Sequence, residues 1–284
     1  MMNKLLLKQQ LANFFQEDLG FGDMTSQAIF DNELGEAVFV AKAPGIFCGE
    51  QIISTAYHLF SQDILVDIFK RDGESVEVGD VIAKVSGPVT DLLSGERVTL
   101  NLIQRLSGIA TLTAEAVHEV KGTGVKISDT RKTTPGLRML EKYAVQCGGG
   151  SNHRLRLDDA ILIKDNHIAQ AGSVTAAIRK VRKKVGHMMK VEIEVETFDQ
   201  LMEAIKETPD VIMLDNCSVE QTAEWCKMIP PHVLVEISGG ITVDQLNNYA
   251  NSGVHIISMG GLTHSAKAMD ISLDILVKEG ASHV

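Results

Sequence analysis

The sequence predicts an α/β protein in which a mixed N-terminal region precedes an incomplete (open) α/β barrel of parallel strands. Three observations carry this. Beyond Gly124, six short apolar runs recur: VKIS (125–128), AILI (160–163), VEIEV (191–195), DVIML (210–214), VLVEI (233–237) and VHIIS (254–258). Amphipathic stretches at helical spacing alternate with them, the pattern of parallel strands covered by helices. Before Gly124 there is no such alternation, and glycine punctuates short strands instead. No GxGxxG follows the first apolar run, so a dinucleotide-binding fold has no support.

Taken in order, KLLLKQQLANFFQE (4–17) has the apolar spacing of a helix, and Gly20-Phe21-Gly22-Asp23 reads as the turn that stops it. EAVFVAKAPG (36–45) reads as a strand ended by Pro-Gly, GEQIISTAYHLF (49–60) as a helix and ILVDIFK (64–70) as a half-buried strand. RDGESVEVGDVIAKVSGP (71–88) is a set of short strands broken at Gly73, Gly79 and Gly87. It has the look of a small biotin- or lipoate-carrier fold, but a carrier lysine belongs at a hairpin tip and Lys84 lies inside a strand pattern. The stretch 92–120 has long helical periodicity with Gly108 in its middle, which predicts two helices, or one kinked helix, joining two domains. In the repeating half, helices are expected around LRMLEKYAV, SVTAAIRKVRKKV, FDQLMEAIKE, SVEQTAEWCKM and TVDQLNNYANSG.

Composition narrows the class. The chain has 284 residues and a formal net charge of −10, ample for real cores but wrong in sign for general nucleic-acid affinity. Cys48, Cys147, Cys217 and Cys226 have neither metal-ligand spacing nor a disulfide framework, and read as small buried hydrophobes in a reducing cytoplasm. The N-terminal MMNKLLLKQQ is interrupted by polar residues too soon for a signal sequence, and no run reaches membrane-spanning length.

Against that acidic background, the stretch 129–167 gathers Arg131, Lys132, Arg138, His153, Arg154, Arg156, Lys164 and His167 among turn residues rather than at helical spacing. Arg offers a planar fork for carboxylate or phosphate, and Lys a compact charge. The strand ends extend the pattern. After the first come Asp129, Arg131 and Lys132, and after the second Lys164-Asp165-Asn166-His167. The third holds Glu192 and Glu194, alternate residues that share a face. The fourth ends in Asp215-Asn216, the fifth in Ser238-Gly239-Gly240 and the sixth in Gly260-Gly261-Leu262-Thr263-His264. In α/β barrels the C-terminal strand ends build the active site, and the last two loops often bind phosphate. Glu194 and Asp215 suit Mg²⁺ beside such phosphates. The residues alone therefore describe a Mg²⁺-assisted enzyme with one phosphorylated substrate and a second, anionic one.

The blocks DTRKTTPGLRMLEKYAVQCGGGSNHR, LIKDNHI, VEIEVE, IMLDN, EISGGI and ISMGGLTHS resemble the signature blocks of the quinolinate phosphoribosyltransferases, and EDLGFGDMTS and GERVTLNLIQRLSGIATLT match that family as well. The resemblance spans nearly the whole chain. It implies an N-terminal α/β sandwich-like domain over residues 1–110, with residues 268–284 packing back on it, and a barrel over 111–267. It implies the substrates quinolinate and phosphoribosyl pyrophosphate, Mg²⁺ as cofactor, no nucleic-acid or membrane partner, and a homodimer or larger homo-oligomer with shared sites.

By matched position, Arg131, His153, Arg154 and Lys164 would line the dicarboxylate pocket, and Lys132 would reach both substrates. Glu194 and Asp215 would flank the ribose and metal. Ser238, Gly239, Gly240, Gly260, Gly261 and His264 would form the phosphate loops. Arg97 would be lent to the neighbouring subunit's site. Arg156 and Asp158 depart from the family pattern, where a glycine and a small or variable residue are expected; they bear on the pocket rim. Two other readings use the same features: a paralogous phosphoribosyltransferase with another acceptor, and a silent barrel that only binds a phosphorylated ligand. The intact TRKTTPG and GGGSNHR blocks favour quinolinate, and the joint presence of Lys132, Glu194 and Asp215 favours catalysis.

Overall fold

The computed structural model describes residues 2–276. They form two compact units, one holding the chain up to Leu112 and again from Ala266, the other spanning Thr113–Ser265. Residues 277–284, part of the segment expected to return to the first domain, lie outside the described residues. Among the described residues, no helix is long and apolar enough to cross a membrane.

The first unit contains α1 (Lys4–Leu19), α2 (Met24–Ile29), β1 (Leu34–Ala41), β2 (Gly45–Ile46), α3 (Glu50–Phe60), β3 (Leu65–Ile68), β4 (Ser75–Val76), β5 (Val81–Pro88), α4 (Val89–Ser94) and α5 (Glu96–Glu119), which crosses into the second unit. Asn3 caps α1 by accepting the N–H groups of Leu5 and Leu6, and Leu7, Leu11 and Phe15 make its buried stripe. Phe15 meets Phe60 edge-on at 4.9 Å between ring centroids. One turn earlier on α3, Tyr57 packs on Phe39 of β1 at 6.1 Å and donates its hydroxyl to the Leu92 carbonyl. These helices thus stack on a four-stranded antiparallel sheet ordered Ile271–Leu276, β1, β5, β3. Lys84 lies within β5 opposite Val38 and Asp67, and its amine is 3.2 Å from Glu36. It is a strand residue, not a hairpin-tip carrier site.

Two features depart from the sequence reading. The GFGD turn ends in the cap of a helix that patterning missed: the Asp23 carboxylate accepts the N–H groups of Thr25 and Ser26 and so starts α2. The helical stretch after Leu92 divides at Gly95, between α4 and α5, and runs unbroken through Gly108. Gly108 serves a close approach instead. A Cβ there would collide with the Lys267 carbonyl oxygen and come within 3.1 Å of the Ala268 Cα, so only glycine lets that strand of backbone cross the helix.

The second unit contains β6 (Lys126–Ser128), α6 (Arg138–Cys147), β7 (Ile161–Ile163), α7 (Asp165–Ala171), α8 (Val174–Arg182), β8 (Val191–Val195), α9 (Phe198–Glu207), β9 (Val211–Asp215), α10 (Val219–Cys226), β10 (Leu234–Ser238), α11 (Leu246–Ala250), β11 (Ile256–Ser258) and α12 (Gly261–His264). Ser173, Thr197 and Ser218 cap α8, α9 and α10 with their hydroxyls. The strands are parallel and ordered β6-β11-β10-β9-β8-β7. Pairing follows the chain from β7 to β11 and then joins β11 to β6, so the barrel closes except along the β6/β7 seam. The triple-glycine segment runs beside β6 there. Ser151 bridges Ser128, donates its N–H to the Ile127 carbonyl at 2.8 Å and accepts the Asp129 N–H at 3.2 Å.

Candidate active site

Because all six strands run the same way, the residues beyond their C-terminal ends collect at one mouth. A cavity of about 290 Å³ lies there. Thr130, Arg131 and Lys132 reach it from β6, and His153 and Arg154 from the seam segment. Leu162 and Lys164 come from β7, Glu194 from β8, Met213 and Asp215 from β9, Ser238 from β10 and Ser258 from β11. Each strand contributes, as the register of polar strand ends implies.

The seam segment is held by an ion pair with no access to water. Asp129 and Lys142 are 0% and 2% exposed and share a short hydrogen bond. Asp129 also accepts the His153 N–H at 2.8 Å and the Asn152 side-chain amide at 2.6 Å. Lys142 donates to the His153 carbonyl at 2.9 Å. Burial pushes Asp129 up and Lys142 down in pKa, and the attraction between them opposes both shifts. The pair ties the end of β6, helix α6 and the His153–Arg154 backbone into one piece.

Above it the charges divide. Burial and the nearby Arg131 both push Arg154 below its ordinary pKa, so this part of the mouth has an excess of positive charge that an anion would relieve. Neither Arg131 nor Lys132 has an ion pair among the described residues. Lys132 is placed by its backbone: its carbonyl accepts the Thr263 hydroxyl at 2.8 Å and its N–H meets the Thr130 hydroxyl at 3.0 Å. Its stem passes Gly260 so closely that a Cβ there would lie 2.8 Å from Lys132 Cδ. Lys164 pairs with Glu194 at 2.7 Å, and its N–H is accepted by the His167 ring at 2.9 Å. His167 therefore caps α7, a helix the pattern did not reveal.

Glu194 and Asp215 stand on neighbouring strands. Burial raises Asp215 above the ordinary carboxylate range, and Glu194 and Glu196 raise it further against Lys164 and Lys132. Oxygen donors that repel one another fit a hard divalent cation, which would relieve the repulsion. The adjacent Cys217 thiol is pushed up to about 11 by burial and Asp215, which leaves it inert as a nucleophile.

Several expected residues stand elsewhere. Ser238 lines the cavity, whereas Gly239 and Gly240 lie in the loop beyond β10, and Gly261 and His264 begin and end α12 beyond β11. Arg97 is exposed on α5 in the first unit, 3.7 Å from Glu96. Arg138 donates to the Thr133 hydroxyl and the Leu155 carbonyl, and so braces the Thr-Thr-Pro-Gly turn from behind. Arg156 pairs with Asp158 at 3.2 Å, both well exposed and neither lining the cavity. The family departure at those positions thus leaves the cavity wall unaltered.

The sequence profile of the quinolinate phosphoribosyl transferase N-terminal domain matches residues 23–107, and that of the C-terminal domain matches residues 109–274. The chain belongs to the quinolinate phosphoribosyltransferase family. Among its relatives in the family is the probable nicotinate-nucleotide pyrophosphorylase [carboxylating] of Bacillus subtilis. It is 53% identical over 274 residues, 96% of this chain and 95% of that one. The Mycobacterium leprae nicotinate-nucleotide pyrophosphorylase [carboxylating] is 41% identical, over 91% of this chain and 93% of its own. The solved nicotinate-nucleotide pyrophosphorylase from Francisella tularensis superposes with a TM-score of 0.91 at 34% identity, covering 97% and 98% of the two chains.

Within this quinolinate phosphoribosyltransferase fold, the cavity-lining Thr130, Leu162, Met213 and Ser258 escaped the sequence reading, as did Lys142 and Glu236 behind the cavity. Lys142 and Glu236 are buried charges, and Ser258 closes the last barrel strand. Glu236 left a signal, a lone carboxylate inside the apolar run VLVEI. Lys142 left none, since a lysine on an amphipathic helix ordinarily faces water.

Proposed function

We propose that this chain joins quinolinate to phosphoribosyl pyrophosphate, releasing pyrophosphate and CO₂ and giving nicotinate mononucleotide for NAD synthesis. The observation that carries the reading is the division of charge at the barrel mouth. Arg131, Lys132, Arg154 and Lys164 converge on one cavity beside Glu194 and Asp215. Such a mouth suits a dicarboxylate acceptor next to a sugar phosphate. Arg131, Arg154 and Lys164 would hold the two carboxylates, with His153 as wall. Ser238, Gly239, Gly240, Gly260, Gly261 and His264 would take the phosphates.

As the ring nitrogen attacks the anomeric carbon, positive charge develops on the sugar, and Glu194 and Asp215 are placed to stabilise it. Lys132 would meet the negative charge of the departing pyrophosphate. No covalent nucleophile is needed, and orientation supplies much of the rate. Glu194 and Asp215 would hold Mg²⁺, which when bound supplies further positive charge to the pyrophosphate oxygens. The arginines would keep the acceptor in place while the carboxylate beside the new pyridinium nitrogen leaves. The four cysteines form no disulfide among the described residues, which suits a reducing cytoplasm as the compartment.

Acceptor choice is directly measurable. Nicotinate has one carboxylate and would forgo at least one charge-assisted hydrogen bond in the cavity, worth about 1.5–3 kcal/mol. Calorimetry is expected to give quinolinate at least about tenfold tighter binding than nicotinate. Equal affinities would contradict the assignment of the cationic cavity.

We further propose that Arg97 completes the site of a partner subunit in a two-fold dimer, which supplies the same arginine twice. Arg97→Ala and Lys132→Ala proteins should each be nearly inactive alone. Refolded together, they should regain activity, because a mixed dimer has one site with both groups intact. No recovery, with mixed dimers shown to form, would exclude the shared site.

A further inference from the structure

Behind the His153 wall of the cavity lies a buried pair of carboxylates, Glu192 and Glu236, that has no part in the steps above. His153 Nε2 lies 3.0 Å from Glu192 Oε2 and 3.6 Å from Glu236 Oε1. One ligating atom from each of the three residues falls within 4.8 Å of the others. Glu192 is 7% exposed and Glu236 3%. The ring has one N–H to give, because its Nδ1 faces the Arg154 N–H at 2.7 Å. Glu192 Oε1 and Glu236 Oε1 are buried outside that N–H's hydrogen bond, and the Ser258 hydroxyl is the one neutral donor that faces Glu236. Natural proteins rarely leave such oxygens unpaired.

The surroundings offer little compensation. Glu192 faces Glu236 from β8, Asp129 from beyond β6 and His153 from the seam segment. At its register position on β10, Glu236 has Met213 on one side and Ile256 on the other. Lys142 bears on the cluster through His153, but its amine is committed to Asp129. Two ionised carboxylates here would put net negative charge directly behind a cavity meant for a dianion.

We propose that Glu236 carries a proton in the working enzyme, and that this neutral carboxyl lets the cavity accept a doubly negative acceptor. Glu236 is then a specificity-determining, positioning residue. It touches no reacting atom; it acts by supplying an O–H where acceptors outnumber donors and by removing charge behind the site. Burial and Glu192 push the Glu236 carboxyl up to about 7, against the pull of His153 and the Ser258 hydroxyl, the direction that the geometry requires. The inference rests on a dicarboxylate acceptor, as read above.

The test follows quinolinate KM with pH in the parent and in Glu236→Gln. In the parent, KM is expected to rise about tenfold between about pH 6 and about pH 8, as the proton is lost. In Glu236→Gln it should stay level near the parent's low-pH value, since the amide is neutral throughout. A variant KM that still climbs with pH, or one as poor at low pH as at high, would overturn the proposal.

A second readout needs no substrate. A carboxyl whose folded pKa is raised takes up a proton on folding, so the parent loses stability as pH rises from the ordinary carboxylate range through about 7. Glu236→Gln escapes that loss, and its Tm advantage over the parent should grow across the same window. A constant Tm difference would refute the assignment whatever the substrate is. If the variant does not fold, a carbon-13 titration of Glu236 in the parent replaces it, and titration in the ordinary carboxylate range would count against the proposal. Stoichiometric divalent metal in the purified parent, lost in the variant, would also overturn it, since a cation would then balance the carboxylates. A raised Glu236 titration in a protein that binds no quinolinate at any pH would instead leave the proton assignment standing and defeat the functional reading.

Discussion

Replacing Lys132 with alanine is expected to lower kcat about 10²–10³-fold, the usual loss for one electrostatic contact made in the transition state. The side chain lies at the surface of the mouth, and its placement comes from backbone bonds to Thr130 and Thr263 that alanine keeps. The fold should therefore persist, and the loss should fall on kcat more than on the KM of either substrate. Glu194→Gln and Asp215→Asn are expected to lose activity on the same scale and to need more Mg²⁺ for half-maximal rate. Glu194→Gln also frees Lys164 from its 2.7 Å partner, so its acceptor KM should shift as well. Steady-state rates across a Mg²⁺ series check all three. Near-parental kcat in every one would mean that the chemistry lies elsewhere in the barrel.

The buried pair beneath the seam gives the second large effect. Lys142→Met leaves Asp129 ionised with no access to water, and Asp129→Ala leaves Lys142 in the same position. Breaking a buried ion pair from one side typically costs about 3–5 kcal/mol. Removing both charges in the double variant should recover part of that stability, since neither is then stranded. Acceptor KM should not recover with it, because Asp129 also accepts the His153 N–H and the Asn152 amide, and the double variant still lacks those bonds. Denaturant unfolding and quinolinate KM, read side by side, separate the two roles. Single variants within about 1 kcal/mol of the parent would show that the pair does not hold the segment.

How much of this was legible in the sequence depends on the kind of residue. The open parallel barrel was, because six apolar runs with polar ends and intervening amphipathic helices allow few other arrangements. The convergence of Arg131, Lys132, Arg154, Lys164, Glu194 and Asp215 was legible for the same reason, since parallel strands bring their ends together. Short helices escaped: α2 and α7 have too few turns to show periodicity, and only their caps, Asp23 and His167, mark them. Gly108 was misread, because a glycine in a helix signals a kink or a close neighbour equally well, and the neighbour here is 159 residues away in sequence at Lys267. The charges within the barrel were hardest to foresee. Lys142 and Glu236 take their meaning from Asp129, His153 and Glu192, all distant in the chain, and pairing of that kind has no local spacing.

The most direct test of the functional reading is a single-turnover balance. Enzyme, Mg²⁺ and phosphoribosyl pyrophosphate are mixed with quinolinate, and pyrophosphate, CO₂ and nicotinate mononucleotide are each quantified, with nicotinate as the parallel acceptor. The reading predicts one pyrophosphate and one CO₂ per nucleotide formed from quinolinate, and only background nucleotide from nicotinate. Nucleotide formation from nicotinate at a comparable rate, or pyrophosphate release from quinolinate without matching CO₂, would contradict it.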